Sequence, residues 1–156
     1  MPRGKRNQKW QAGDNFAVPL ADGTYGQGQV LSYEAQAMNS AICAFSSARY
    51  ANIPVDLDFV YDQNLIAVLF VTRDLLDSGR WQVVNSRPMI LLEKYIDIRS
   101  LRKKGFVGAT IHGSHIAETF LNAYHKLSPW NQYLDPEYFD KLLVAPNRKP
   151  RGVLLK

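Results

Sequence analysis

The sequence is poor in cysteine and in long apolar runs, and both shortages limit what the chain can be. Cys43 is the single cysteine among 156 residues, so the chain can form no internal disulfide, and one thiol cannot build a zinc cluster by itself. The longest apolar run, residues 65–71, is far too short to span a bilayer, and no apolar segment follows the basic start MPRGKRNQKW as a secretory signal would require. We therefore expect a soluble cytoplasmic protein without a membrane partner.

Positive charge is scarce in the body of the chain, although the net charge is +5. Eight of the 19 basic residues lie within residues 1–9 and 147–156, and neither segment contains an acidic residue. The other 11 basic residues share residues 10–146 with 14 acidic ones, so the body is slightly negative. We interpret the two ends as basic flexible tails around one globular domain, residues 10–146, and expect nucleic-acid contact, if there is any, mainly at the tails.

The stretch GDNFAVPLADGTYGQGQV, residues 13–30, predicts a β-hairpin. Its central Asp-Gly pair tolerates positive φ, and strand-forming residues flank the pair on both sides. Pro19 cannot donate to a strand ladder, which predicts a sheet edge or a bulge, and Gly26 and Gly28 permit tight coiling or a close backbone approach. No helix follows at once to hold a phosphate, so the glycines favour a structural role over a nucleotide-binding one.

Further strands are predicted from apolar runs and from one alternating pattern. The apolar runs lie at residues 40–47, 65–74, 81–84 and 106–111. In VDLDFVYD, residues 55–62, the odd positions are apolar while Asp56, Asp58 and Asp62 occupy even positions. This period of two predicts a half-buried strand with three carboxylates on one face. Residues 89–105 are ambiguous between an edge strand with a turn and a short helix.

Two helices are predicted after the strands. Ser114 can cap the first, in which apolar residues recur every four positions from Ile116. The second spans residues 136–143, with Asp135 as its N-cap. Strands first and helices later indicate an α+β domain, in which a coiled, mainly antiparallel β-sheet or small open barrel fills the N-terminal two thirds and one or two C-terminal helices pack on it.

His112, His115 and Glu118 are the candidate catalytic or metal-binding residues. A histidine nitrogen can bind a metal or accept a proton near neutral pH, and positions 115 and 118 would lie on neighbouring turns of the predicted helix. The pattern is compatible with a metal-assisted phosphoester hydrolase that holds a divalent metal at His112 and His115, with His125 following in the same segment. The spacing matches no strong zinc pattern, so capping or surface histidines are the alternative.

The three aspartates of residues 55–62 have three interpretations. They could bind a hard cation, present a negative strip to a basic partner, or form the solvated face of an edge strand, where charge discourages aggregation. A calcium site would need a glycine-centred loop that gathers the carboxylates, and the segment has none. A solvated face and a partner-binding strip are the alternatives that remain open.

One basic cluster lies inside the body, at Arg99, Arg102, Lys103 and Lys104. It could contact phosphate, which makes a nucleic-acid-binding small barrel a third hypothesis. No aromatic residue is interleaved among the cations as a platform for single strands would require, so a charged turn is the alternative.

Aromatic residues at Trp10, at Trp81 and in residues 129–139 could cover a pocket or anchor a partner, although most aromatic residues fill a core. Covalent catalysis has no support in the sequence. Ser46 and Ser47 lie in no nucleophile elbow, and Cys43 sits among apolar residues, where a thiol is normally inert.

The hairpin of residues 13–30 resembles the opening hairpin of the immunity-protein-26 family of bacterial polymorphic toxin systems. The resemblance is carried by Gly13, Asp14, Phe16, Pro19, Leu20, Gly23, Gly28 and Val30. WQVVNSRPM, residues 81–89, is similar to that family's Trp-centred strand but lacks the Ile-Gly pair expected after it. Residues 129–143 are similar to a branch labelled as phosphotriesterase-like. The resemblance covers roughly residues 10–145, and both basic tails lie outside it.

The resemblance implies a protein that neutralises a cognate toxin by binding it, with neither cofactor nor catalysis, while the label of the other branch keeps the hydrolase as the alternative. Immunity partners of nucleases often cover a basic active site with carboxylates, which speeds association. The partner-binding residues we expect are therefore Asp56, Asp58 and Asp62 of the alternating segment, together with the aromatic Trp81.

Overall fold

The computed structural model describes residues 8–58 and 60–156 and contains a six-stranded, open sheet. The strands are β1 (Asp14–Pro19), β2 (Tyr25–Glu34), β3 (Ser40–Tyr50), β4 (Leu65–Val71), β5 (Gln82–Ser86) and β6 (Ile111–His112). Their order across the sheet is β5-β1-β2-β3-β4-β6. All neighbours are antiparallel except β6, which runs parallel to β4. This confirms the predicted α+β fold with a mainly antiparallel sheet.

The helices are short and follow β4 along the chain. They are α1 (Asp74–Ser78), α2 (Ile98–Lys103) and α3 (Ser114–Tyr124), with 3-10 turns at Leu92–Lys94, Asp140–Leu142 and Pro146–Arg148. The first predicted helix is α3, but its N-cap is Gly113, and Ser114 is its first residue with a hydroxyl that donates to Asp74. The second, residues 136–143, is reduced to a 3-10 turn. None of the helices in the described part of the chain combines the length and apolar character that crossing a membrane would need.

The hairpin of β1 and β2 forms as predicted and pairs Phe16 with Gly28. Its turn contains Gly23 at φ +85°, a conformation that favours glycine. β1 is not an edge strand, because β5 pairs with its other side. The ladder between β1 and β5 ends at Ala17. Pro19 lies beyond its end, so the missing N–H of proline costs no hydrogen bond to β5.

Both faces of the sheet are covered, and each has its own core. The larger core lies between the sheet and α3 and includes Phe16, Phe45, Trp81, Phe120 and Leu121. The smaller core lies on the opposite face and includes Ile42, Phe70, Ile98 and Phe106. Neighbouring residues of β3, Ile42 and Cys43, belong to different cores because successive side chains of a strand point to opposite faces.

The prediction of a strand at residues 55–62 is wrong. The segment is an irregular loop between β3 and β4, and position 59 lies outside the described residues. β3 and β4 pair directly with each other, so the connection between them is left without a ladder of its own. Buried amides bind it instead, since the Asp58 carbonyl accepts hydrogen bonds from the side chains of Gln27 (2.7 Å) and Asn15 (3.4 Å). Leu57 is buried, whereas Val55 is fully exposed.

The C-terminal basic segment, predicted as a flexible tail, lies against the domain. Arg148 donates to the carbonyl oxygens of Gln63 and Leu65, and Trp130 N–H donates to Leu154 O at 2.8 Å. Lys149 Nζ lies 3.0 Å from Asp140 Oδ1. The side chains of Arg148 and Lys149 therefore have carbonyl and carboxylate partners on the domain. Of the predicted N-terminal tail, residues 1–7 lie outside the described residues.

Candidate partner-binding surface

The three residues of the hydrolase hypothesis each have a different partner. His112 is half-buried, which lowers its pKa, and its Nδ1 lies 2.8 Å from Tyr138 Oη. His115 is exposed, and its Nε2 lies 3.6 Å from an oxygen of Asp74. Among residues 8–58 and 60–156, no group of three or more His, Cys, Asp and Glu side chains is placed to hold a metal ion. The geometry therefore gives the hydrolase hypothesis no support.

Glu118, the third of these residues, holds two elements of the fold together. Its carboxylate accepts hydrogen bonds from the guanidinium of Arg80, the shortest at 2.6 Å, and from Trp81 Nε1 at 3.1 Å. The same contact with Glu118 raises the pKa of Arg80. This side chain therefore joins α3 to the residues just before β5 and is occupied by that structural task.

Trp81 was predicted to contact a partner, and that prediction is wrong. Its side chain is 0% exposed. The indole lies parallel to the Phe16 ring, with 5.0 Å between ring centroids, and meets the Phe45 ring edge-on at 5.8 Å. Trp81 directly precedes β5, and its side chain lies in the larger core rather than on the surface.

The predicted acidic face does not form, because two of its three carboxylates bind cations of this chain. Asp56 accepts hydrogen bonds from Arg87, at 2.5 Å, and from the amide of Asn85. Asp62 accepts from Lys94 at 3.1 Å and from the Tyr95 hydroxyl, and these bonds lower the pKa of Asp62. The surface around the loop is therefore balanced in charge rather than strongly negative, while the side chain of Asp58 is exposed.

The basic cluster lies on and just after α2. The helix is capped by Asp97, whose carboxylate accepts from Ser100 N–H. Arg102 forms an ion pair with Glu34 (2.8 Å), whereas Arg99, Lys103 and Lys104 are exposed. Contact between these cations and nucleic acid stays a prediction.

A second surface brings together Trp10, Tyr33 and Arg73, and we call it the aromatic–arginine cluster. The two rings meet edge to face, with 5.9 Å between centroids. The guanidinium carbon of Arg73 lies 5.9 Å from the centroid of Trp10 and 5.6 Å from that of Tyr33, within the range of a cation–π contact. These side chains line a shallow depression of about 570 Å³ together with residues 8–12.

Hydrogen bonds to neighbouring residues hold the three side chains of this cluster in place. Trp10 Nε1 donates to Asp77 Oδ1 at 2.8 Å, and Arg73 Nε donates to Asp77 Oδ2 at 2.9 Å. The Tyr33 hydroxyl donates to Asn39 Oδ1 at 2.7 Å. Beside Asn39, the side chain of Met38 is 80% exposed at the turn between β2 and β3. The cluster is thus an aromatic and cationic surface in one fixed arrangement, in which Tyr33 is exposed and Trp10 and Arg73 are partly exposed.

Sequence reasoning found only one member of this cluster. The sequence indicates Trp10 as an aromatic anchor, but Tyr33 lies near the end of β2 and Arg73 precedes a helix far along the chain. No local spacing connects the three. The signal available in the sequence was the presence of Trp, Tyr and Arg, which becomes informative only when the fold places them together.

His125, the remaining histidine of the segment, predicts acid sensitivity of the fold. Burial, aided by nearby Arg49, lowers its pKa to about 4, and its buried Nε2 has no hydrogen-bond partner within the described part of the chain. Between pH 6.5 and about 4 the unfolded chain binds the proton more readily, so the free energy of unfolding falls as pH decreases through this window. Allowing for the partial exposure of the ring, we expect a loss of about 1–2 kcal/mol from this residue.

Urea unfolding of the wild type and of His125→Phe at several pH values measures this loss. The variant should lose less stability between about pH 7 and pH 4 than the wild type, because phenylalanine does not titrate. His115→Gln, at an exposed position, should follow the wild type. Equal losses in wild type and His125→Phe would show that His125 does not cause the acid sensitivity.

Comparison with known families gives a match over the middle of the chain, which contains most of the aromatic–arginine cluster and the aspartate loop. The model of a family described as immunity protein 26 matches residues 11–104. The matched segment includes Tyr33, Arg73 and the three aspartates, whereas His112, His115 and α3 lie beyond it. No curated protein and no solved structure matches the chain.

Proposed function

Because this chain belongs to the immunity protein 26 family, we propose that it neutralises a cognate protein toxin by binding it directly, without a cofactor. The family name supports a role in immunity. The observation that carries the binding proposal is the aromatic–arginine cluster, which lies on the surface and has two of its three residues inside the matched segment.

The cluster has the chemistry of an interface centre. Tryptophan, tyrosine and arginine are enriched among the residues whose truncation costs most binding energy. Aromatic side chains supply a large contact area and lose little conformational entropy. The hydrogen bonds that Trp10 and Arg73 donate to Asp77 hold both side chains in place before a partner arrives, which reduces the ordering cost of association. The exposed Met38 adds an adaptable apolar contact beside them.

Asp56, Asp58 and Asp62 have a secondary role in this proposal. Exposed ion pairs contribute little free energy, so the bonds of Asp56 and Asp62 to Arg87 and Lys94 can be exchanged for bonds to a partner. Charges at the edge of an interface mainly change the association rate and its dependence on salt. We therefore assign these carboxylates to steering and the aromatic–arginine cluster to affinity.

The test screens the products of the genes next to that of this chain for a toxin. Co-expression should restore the growth of cells that express the toxin, and the two purified proteins should form a complex measurable by calorimetry. Tyr33→Ala and Arg73→Ala should each weaken the complex by about tenfold or more, which corresponds to about 1.4 kcal/mol. Leu134→Ala, at a fully exposed position outside the matched segment, is the control and should bind as the wild type does.

The outcomes separate the function from the surface. If the chain neither rescues growth nor forms a complex, the proposed function is wrong. If it does both and Tyr33→Ala and Arg73→Ala bind normally, the toxin uses another surface. Circular dichroism melting of both variants distinguishes lost affinity from lost folding, since Arg73 also pairs with Asp77.

A further inference from the structure

The outer edge of β4 is paired at both ends and open in the middle. Near its C-terminal end, Phe70 and Val71 pair with β6, and Thr72 N–H donates to His112 O at 2.9 Å. Near its N-terminal end, Val144 N–H donates to Ile66 O, also at 2.9 Å. The interval between Ile66 and Phe70 is about 13 Å at the usual rise of a strand. Two different segments therefore cover the ends and leave a gap between them.

The backbone groups of Val68 point into this gap. In an antiparallel ladder, the N–H and C=O groups of alternate residues point to the same side of the strand. Thr72 N–H points away from β3, towards His112 O, and the register between β4 and β3 is regular from Ala67 to Val71, so the backbone groups of Val68 point away from β3 as well. Within residues 8–58 and 60–156, Val68 is paired only across to Ala44 of β3. It is also the one residue of β4 that is not fully buried.

The gap opens into a cleft of about 570 Å³. Its lining includes Val68, Leu69, Tyr95, Thr110, His112 and Leu143. The apolar side chains suit an occupant with apolar groups, and the open backbone requires one that can both donate and accept a hydrogen bond. An extended peptide main chain meets both requirements, because adding a strand to an open edge pairs N–H with C=O in each direction.

The charge of the cleft selects among peptides. Lys94 and Lys141 are part of the lining, which contains no aspartate or glutamate. Their present partners are Asp62 at 3.1 Å and Asp135 at 2.6 Å, both in exposed ion pairs. Such pairs are worth about 0–1 kcal/mol, so a carboxylate brought in by a ligand can replace them.

We propose that this cleft binds a short extended segment of a partner protein that carries an acidic side chain, with its main chain paired to Val68 and its carboxylate to Lys94 or Lys141. The cleft is lined partly by residues beyond the segment that defines the family. The inference does not depend on toxin neutralisation and concerns a surface separate from the aromatic–arginine cluster.

Hydrogen–deuterium exchange of the free protein, followed by NMR, tests the open edge. The amide of Val68 should exchange much faster than those of Ala67 and Leu69, which lie between β4 and β3 in the ladder. Protection of Val68 equal to that of its two neighbours would show that the edge is closed, and the proposal would be overturned.

Titration with two synthetic peptides tests the occupant. The probes are a capped Val-Glu-Val peptide, whose three residues span about 10 Å and fit within the gap, and its Val-Lys-Val counterpart. The acidic peptide should shift the Val68 amide resonance and bind about tenfold more tightly than the basic one. Equal affinities, or no shift at the solubility limit of the acidic peptide, would refute the proposal.

Two sets of variants locate the bonds. Val68→Pro removes the outward N–H, a change that an open strand edge tolerates, and should abolish binding of the acidic peptide. Val68→Thr retains the N–H and is the control, so it should bind as the wild type does. The double variant Lys94→Glu with Lys141→Glu should bind the basic peptide more tightly than the acidic one. This test remains available if Val68→Pro does not fold. Unchanged preference in this double variant would contradict the assigned role of the lysines.

Discussion

Trp81→Ala is expected to lower the free energy of unfolding by about 3–5 kcal/mol. The side chain is 0% exposed and lies between Phe16 and Phe45 in the larger core. Its removal leaves a cavity that the surrounding strands cannot collapse into, since the sheet is held on both sides of β1. It also takes away the indole N–H that donates to Glu118. Urea unfolding followed by circular dichroism measures the loss.

Two further variants separate packing from hydrogen bonding. Trp81→Phe keeps an aromatic ring in the core but loses the bond to Glu118, so it should cost less than Trp81→Ala. Trp10→Ala removes an indole of the same size from a half-buried position. It should lower the free energy of unfolding by less than Trp81→Ala or Trp81→Phe does. If Trp81→Ala cost less than Trp10→Ala, the burial of Trp81 described here would be contradicted.

The sequence predicted the buried strands well because a sheet covered on both faces leaves a simple pattern. Residues 40–47 mix small and apolar residues and residues 65–74 are a nearly continuous apolar run, and they form the interior strand β3 and its neighbour β4. From Ala41 to Phe45 in β3 and from Ala67 to Val71 in β4, the side chains enter the two cores on alternate positions. Apolar character at every position is the expected signature of such strands.

Alternation failed at residues 55–62 because it reports which side chains are buried and not which backbone groups are paired. Leu57 is buried as the pattern requires, yet the carbonyl oxygens of Leu57 and Asp58 accept hydrogen bonds from side-chain amides rather than from a strand. Val55, which the pattern placed on the buried face, is fully exposed. Whether a strand has room to pair depends on the order of strands in the sheet, which the spacing within one segment does not contain.

The candidate surface was the least predictable part for a similar reason. Trp10 and Trp81 are alike in the sequence, but one lies on the surface beside Tyr33 and the other in the core beside Phe16. Composition cannot distinguish a buried tryptophan from a surface tryptophan, because an aromatic side chain suits both a core and an interface. Tertiary structure decides it, through the position of α1 behind Trp10 and of α3 above Trp81.

Gly28→Ala is the second large effect, with an expected loss of about 2–3 kcal/mol in the free energy of unfolding. Gly28 faces Phe16 across the hairpin, and a Cβ built on it would lie 2.4 Å from the Cζ atom of that ring. The ring cannot move aside, because Trp81 is stacked on it at 5.0 Å and Phe45 meets it edge-on at 6.1 Å. The close backbone approach expected of this glycine is thus an approach to an aromatic ring.

Gly26→Ala is the control for this second substitution. It lies on the same face of β2, and its Cβ would come only to 3.3 Å from the tip of Leu121, a side chain that can adjust. Both substitutions remove the backbone freedom of a glycine from the unfolded chain, so the difference between them isolates the clash. In the double variant Phe16→Leu with Gly28→Ala, the loss should be smaller than the sum of the two single losses, because the smaller side chain leaves space for the new methyl group. Additive losses in the double variant would mean that the methyl group introduced by Gly28→Ala does not clash with the Phe16 ring.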